Sequence, residues 1–250
     1  MENKNKTVIK TMTLLNLFLT HTKLNLNEVM SLLHIPKTSA HRMLSSLEEI
    51  QLLDKDEDGY YTLGLLFLQF GQLVTERLDI RKLALPVMKM LRDDVEEAVN
   101  LIVKYGNEAM YIEKQDTTQP VRLYTEIGRK SPLYAGDSRI ILAYLSNKEI
   151  ETYLNETDLQ SIGQGTITDK QKLRNIIEET RKNGYTISRS ELENYTSAVA
   201  APIYDYQGKV VAGISVAGLE VRFSEERLPY LIEKVQMAAM DISKKLGYNL

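Results

Sequence analysis

The sequence predicts an α+β protein in two units: an N-terminal winged helix-turn-helix, then a linker helix, then a C-terminal antiparallel sheet packed with helices. Three observations predict it. Residues 25–50 read as two short amphipathic helices around a tight turn. Residues 52–63 read as a β-hairpin directly behind them. From residue 83 onward, strand triplets flank a helical middle and helices close the ends, the pattern of an antiparallel sheet covered by helices.

The first helix is expected where Val8, Met12, Leu15 and Phe18 step along one face and pack beneath the pair. Asn25 can cap the next helix, and Glu28 three residues on can close a capping box. Val29, Leu32 and Leu33 form its apolar stripe. The chain turns at His34-Ile35, and Pro36 suits the first position of the following helix, where its missing N–H costs nothing. Ala40, Met43, Leu44, Leu47 and Ile50 then recur at three- and four-residue steps and face inward.

That stripe leaves Lys37, Thr38, Ser39, His41, Arg42 and Ser45 on the outer face. They cluster toward the N-terminal half, the end that a recognition helix puts into the major groove of duplex DNA. Arg42 suits a guanine edge, and Lys37, Thr38 and the first-turn amides suit phosphates. Ser39 suits either, or supports the first turn. A helical hairpin with a merely solvated outer face would share this pattern. The strand-turn-strand that follows, with Asp58-Gly59 at its tip, argues for a wing instead. Lys55, Tyr60 and Tyr61 are its candidate contacts to DNA.

Charge is informative in its distribution. The net charge of −3 and isoelectric point near 5.8 exclude a bulk polycation. Residues 1–45 nevertheless carry six basic side chains (Lys4, Lys6, Lys10, Lys23, Lys37, Arg42) against Glu2 and Glu28. The wing tip is acidic, with Asp54, Asp56, Glu57 and Asp58 around Lys55, and phosphate should repel it. Affinity is therefore expected to rest on the helix, on N-terminal lysines such as Lys10, and on dimerisation, and to fall steeply with salt.

Zero cysteines exclude a disulfide scaffold and a thiol nucleophile. The three histidines, His21, His34 and His41, lie in the first unit without metal-ligand spacing, so neither a metal nor a cofactor is expected. The longest apolar stretch, Leu63 to Val74, is broken by glycine and glutamine, and no secretory leader is visible. A cytoplasmic protein without a membrane partner is the expectation. Gly163-Gln-Gly165 lacks the Gly-Lys-Ser/Thr ending of a phosphate loop and reads as a surface turn. With only scattered Ser, Asp and Glu beside it, no enzyme is predicted.

The domain boundaries read as 1–63 for the winged unit, 64–82 for the linker helix and 83–250 for the second domain. In the linker, Leu65, Leu66, Leu68, Phe70, Leu73, Val74 and Leu78 spread around much of the circumference. Such a helix is buried on more than one side. A twin in a two-fold dimer supplies the missing side, or else its own second domain does. Beyond it, a helix continues through 87–95, residues 99–104 and 109–114 form a hairpin, and residues 120–126 form a third strand. Helices follow over 139–145, 148–154 and 169–182, the last capped by Thr168 with Gln171 three residues on. Strands are expected at 185–188, 197–204 and 209–217. Ser224 is the expected cap of a final helix whose stripe runs from Leu228 to Leu246 and stops at Gly247.

The whole chain resembles the IclR family of transcriptional regulators. The resemblance is carried by residues 26–29 and 35–44 of the reader, by Gly128 to Gly136, by Gly184 to Glu191, by Ala198 to Asp205 with Gly208, and by Val211 to Gly218. It implies a winged helix-turn-helix, a linker helix and a GAF-like effector-binding domain. It also implies dimers or tetramers, commonly repressors, that often answer to a small organic acid. The implied effector pocket maps to Gly136, Asp137 and Ser138, to Ser188 with Glu191 nearby, to Ala198 where several relatives have cysteine, and to Ser215. Ser215 keeps a hydroxyl that in relatives contacts a carboxylate, whereas Ala217 has lost the partner hydroxyl. Asp137 should repel a carboxylate, which favours an amine-bearing or neutral polar ligand. The family pattern has one more residue between Gly136 and Arg139; a residue omitted from the sequence is the favoured explanation, a shorter loop the other. The resulting expectation is a repressor of operator DNA modulated by a small molecule. The alternative is a ligand-independent regulator whose second domain only oligomerises.

Overall fold

The computed structural model describes residues 5–77, 79–123 and 125–249. The chain divides into two compact units, residues 1–77 and 78–250.

In the first unit, α1 (Lys6–Asn16) begins under Asn5, whose side chain accepts from the Thr7 and Val8 amides. Leu14 and Leu15, with Phe18 in the 3₁₀ turn beyond, are buried. Val8 and Met12 are 58% and 49% exposed, so only the C-terminal end of the predicted face reaches the core. A two-residue strand, β1 (Leu24–Asn25), comes next. It is too short to show alternation in the sequence. In α2 (Leu26–Leu33) the capping box forms as expected: Asn25 Oδ1 accepts from the Glu28 amide at 3.1 Å, and the Asn25 amide donates to Glu28 Oε2 at 2.8 Å. His34 makes the turn in the left-handed region at φ 51°.

Helix α3 (Lys37–Glu49) starts one residue later than expected. Pro36 is its extended N-cap, and its carbonyl accepts from Ser39 and Ala40. Ala40, Leu44 and Leu47 are buried and Met43 is half-buried. Ile50 lies past the last helical turn and is exposed, so the inward stripe stops at Leu47. The strands β2 (Leu53–Lys55) and β3 (Tyr60–Leu63) form the wing, with β3 also pairing with β1. Tyr61 is 3% exposed within the helical core, which removes it from the candidate wing contacts. Helix α4 (Leu66–Arg77) follows.

The second unit opens with α5 (Asp79–Val95) and the hairpin β4 (Ala98–Tyr105) and β5 (Glu108–Gln115). The third strand is β6 (Lys130–Pro132), paired with the start of β5; of the expected 120–126, residues 120–123, 125 and 126 form no strand and Tyr124 lies outside the described residues. Pro120 has no amide to give to a ladder, and Val121 is exposed. A 3₁₀ turn at Gly136–Ser138 runs directly into α6 (Arg139–Ala143), with the Arg139 amide bonded back to Gly136. Helices α7 (Asn147–Glu156) and α8 (Lys170–Asn183) complete that layer. Asp169 caps α8, accepting from the Lys172 amide at 2.7 Å; Thr168, its neighbour, does not.

Strands β7 (Thr186–Arg189), β8 (Thr196–Tyr204) and β9 (Val210–Leu219) then pair, and α9 (Leu228–Lys245) ends the unit. Ser224 does not cap α9; its hydroxyl and carbonyl close the preceding turn onto Arg227. The sheet order is β6-β5-β4-β9-β8-β7, antiparallel throughout. Alternation divides its residues between two cores. Val99, Leu101, Val199, Ile203, Ile214 and Val216 pack against α5 and α9. Ile102, Ala109, Tyr111 and Ala200 pack against α6, α7 and α8. Gly213 lets α6 approach the sheet, because a Cβ there would run into Ile140. Among the described residues no helix is long and apolar enough to cross a membrane.

Candidate nucleic-acid interface and effector cavity

The outer face of α3 holds Lys37, Thr38, Ser39, His41 and Arg42, all exposed, with Ser45 half-buried at the rim. The fully buried Ala40, Leu44 and Leu47 fix which way this face points. Five of the six predicted side chains therefore share one accessible surface at the N-terminal half of the helix. Lys10 is exposed on α1. In the wing, Lys55 is exposed, with its ammonium 5.4 Å from the Tyr61 ring centroid. Tyr60 is half-buried beneath Lys23, whose ammonium lies 4.3 Å from its ring centroid. Lys23 is thus a further cation at the wing. Its sequence signal was only its share in the N-terminal basic excess, because its contact to Tyr60 depends on β1 pairing with β3.

The second unit contains a cavity of about 50 Å³ between the Gly136–Ser138 turn and the sheet. Of the predicted residues, Gly136, Asp137, Ser188, Glu191 and Ala198 line it. Ser215 is fully buried and touches the cavity through Asp137, donating to its Oδ2 at 2.5 Å. Ser138 is not a lining residue: it is buried and bonded to Ser131. Gly136 adopts φ +69°, and a Cβ there would strike Leu192, so this turn needs glycine.

The sequence pattern missed several participants. Tyr111 donates to Asp137 Oδ1 at 2.6 Å. Burial above all, then the negative charge of Asp137, pushes the Tyr111 phenol well above its ordinary range, so it remains a donor. Asn100 and Ser197 also line the cavity, as do Arg129 and Glu193, which pair at 2.8 Å. The signal for Tyr111 and Asn100 was present in strand alternation, since Tyr111 shares a face with Ala109, and Asn100 with Ile102. Glu191 binds the turn from the other side. Its Oε2 accepts from the Gly136 amide at 3.0 Å and from Arg139 Nη1 at 2.6 Å, an ion pair almost wholly buried. Arg139 also donates to Thr186 Oγ1 and to the Ile187 carbonyl, tying α6 to β7. The Gly163-Gln-Gly165 turn braces this corner, because its glycine amides donate to the carbonyls of Glu191 and Ser190. It is the expected surface turn, with Gln164 and Gly165 exposed, docked through its backbone.

A helix-turn-helix with a wing, followed by an α+β domain with a small cavity lined by polar side chains, defines a class: two-unit DNA-binding regulators. The family model for the IclR helix-turn-helix domain matches residues 7–57, and that for the bacterial transcriptional regulator IclR C-terminal domain matches residues 72–244. The chain belongs to the IclR family of DNA-binding transcriptional regulators. It is 60% identical over 250 residues to the HTH-type transcriptional regulator KipR of Bacillus subtilis, with both chains fully covered. It is 31% identical over 217 residues to the HTH-type transcriptional repressor AllR of Escherichia coli, covering 86% of this chain and 80% of AllR. The crystal structure of an IclR homologue from Microbacterium hydrocarbonoxydans, complexed with 4-hydroxybenzoate, superposes with a TM-score of 0.85 at 23% identity, covering 96% of this chain and 98% of that one.

Proposed function

We propose that this protein is a cytoplasmic repressor that binds double-stranded operator DNA as a homodimer or a tetramer, and that a small molecule in the second unit changes its operator affinity. The observation that carries the reading is the outer face of α3, where Lys37, Thr38, Ser39, His41 and Arg42 stand exposed over a fully buried stripe. In this reading Arg42 reads a base edge, and Lys37, Thr38 and Lys10 hold phosphates. Lys55, Tyr60 and Lys23 add minor wing contacts.

Dimerisation is supported by Leu65, just before α4, and by Leu68 of α4, which are 76% and 71% exposed, and by Phe70 and Leu73 of α4, which are also bare in the single chain. Val74 and Leu78 of the same predicted seam lie outside the side chains described here. The exposed Val8, Ile9 and Met12 of α1 enlarge the apolar surface available to a twin. Repression is supported by the likeness to AllR. Effector binding is supported by the cavity and by the ligand complex of the Microbacterium homologue. No catalytic role is assigned: the carboxyl groups of Asp137 and Glu191 are held by Tyr111, Ser215, Gly136 and Arg139.

Footprinting of the purified protein on its own genomic DNA at two salt concentrations tests the reading. A compact palindromic footprint that weakens steeply with salt is expected. Diffuse binding without a preferred site would overturn it. Operator affinity that no cellular small-molecule fraction alters would leave only the ligand-independent regulator.

A further inference from the structure

Hydrogen-bond direction around the cavity fixes what kind of ligand fits it. Asp137 accepts from Tyr111 and from Ser215. A serine hydroxyl has one proton, and Ser215 gives it to Asp137, so toward Asn100 it can only accept. The 3.4 Å contact between Asn100 and Ser215 is therefore made by Asn100 Nδ2. That orientation leaves Asn100 Oδ1 without a partner, although Asn100 is 2% exposed and lines the cavity. Ser197 Oγ, also on the lining and buried, has no partner either.

Three donors at or beside the cavity are already engaged. The Gly136 amide and Arg139 Nη1 both donate to Glu191, and Arg129 pairs with Glu193. Asp137, Glu191 and Glu193 outnumber Arg129 and the Arg139 behind them, and an incoming carboxylate would lie against Asp137 without a free cation to offset it. What the cavity offers is mainly acceptors, Asn100 Oδ1 and the remaining lone pairs of Asp137, with the hydroxyls of Ser188 and Ser197 able to act either way.

We propose that this cavity selects a small ligand that brings hydrogen-bond donors, an amide, ureide or amine, and discriminates against a simple carboxylate. The inference rests on the effector reading above and gives that effector a chemical class. It separates this site from that of the Microbacterium homologue, whose ligand is a hydroxybenzoate. The volume, about 50 Å³, admits roughly four water-sized groups, so the recognised part of the ligand is small.

The test is calorimetric titration of the full-length protein with the near-isosteric pair propionamide and propionate. Propionamide should bind at least about tenfold more tightly, a difference within the range measured when one buried polar group is left unpaired. Ser197→Ala removes a hydroxyl that has no partner, so the unfolding temperature should hold or rise while propionamide binding weakens severalfold. Asp137→Asn should narrow the gap by admitting propionate. Equal or tighter binding of propionate overturns the proposal, as does a Ser197→Ala protein that binds propionamide unchanged, or no propionamide binding at all. Operator affinity measured against charge-fractionated cell extract keeps the two readings apart. If only an anionic fraction shifts it, the ligand class fails and the effector reading stands; if no fraction does, the effector reading fails.

Discussion

The reader and the cavity handle polar groups in opposite ways. On α3 the candidate contact side chains, Lys37, Thr38, Ser39, His41 and Arg42, are exposed and stand on a buried apolar stripe. Around the cavity they are buried and bonded to one another, through Tyr111, Asp137, Ser215 and Asn100 on one side and Gly136, Glu191 and Arg139 on the other. The difference follows from the partner. DNA presents a charged, hydrated surface, so a cation that meets it can remain in water until contact. Buried polar groups must instead be held by internal bonds, and most of those around the cavity are, Asn100 Oδ1 and Ser197 Oγ being the lining atoms left over among the described residues. On α3, then, the exposed polar residues are separate from those that hold the fold; around the cavity most of the polar residues are the ones that hold it.

Removing a charge should break that contrast most sharply at Arg139. Arg139→Ala leaves Glu191 buried without its cation and should cost about 3–5 kcal/mol of stability, measured by denaturant unfolding of the whole chain. A loss below about 1 kcal/mol would show that the pair is not what holds the turn to β7. Tyr111 comes next. Its phenol donates to a charged acceptor, and Tyr111→Phe should cost about 1.5–3 kcal/mol at neutral pH. The folded phenol is raised well above its ordinary value, whereas the unfolded one titrates near about 10. Between the two, the unfolded chain releases a proton that the folded chain keeps. Stability is therefore whole below about pH 10 and falls as pH rises toward the folded value. Tyr153, pushed up to about 12 by burial, adds to the same alkaline slope. Tyr111→Phe should flatten that slope, and an unchanged slope would exclude Tyr111 as its source.

In the reader the same operation should separate the two properties. Arg42→Ala should leave stability within about 0.5 kcal/mol yet cost about 1–3 kcal/mol of operator binding, and relax sequence choice at one base pair. Equal loss on operator and random DNA would make Arg42 a phosphate contact. Comparable losses of stability and binding would remove the distinction between the two regions.

How much of each region was legible follows from the range of its interactions. The Asn25–Glu28 capping box, the stripe of α3 and the Asp58-Gly59 turn are local, and residues three or four apart specify them. The cavity's bonds are set by register. Asn100 meets Ser215 only because β4 pairs with β9 across 115 positions. The resemblance located Asp137, Ser188 and Glu191 but not Tyr111 and Asn100, which line the same cavity. Local signals also competed. Thr168 and Asp169 both suit a cap, and the Asp169 carboxylate took the Lys172 amide. Residues 120–126 have a strand-like look, yet β5 pairs instead with β6. Val8 and Met12 carry the right period for a core that does not extend to them.

The smallest effect should come from the wing tip, where the reader's logic runs against its own charge. Asp56 is occupied, since its Oδ1 accepts from the Tyr60 amide and helps to close the hairpin. Glu57 is exposed at the tip beside it. If the tip approaches the DNA backbone, Glu57→Gln removes a repulsion that solvent and salt already screen within about 8 Å at physiological ionic strength. Operator affinity should then rise by no more than about twofold, most at low salt, through the association rate. Asp56→Asn would change the hairpin as well as the charge and would not isolate this term. A Glu57→Gln protein whose affinity gain vanishes at every salt concentration would place the tip away from the phosphates, and would leave α3 and the lysines of the first unit to carry the electrostatic attraction.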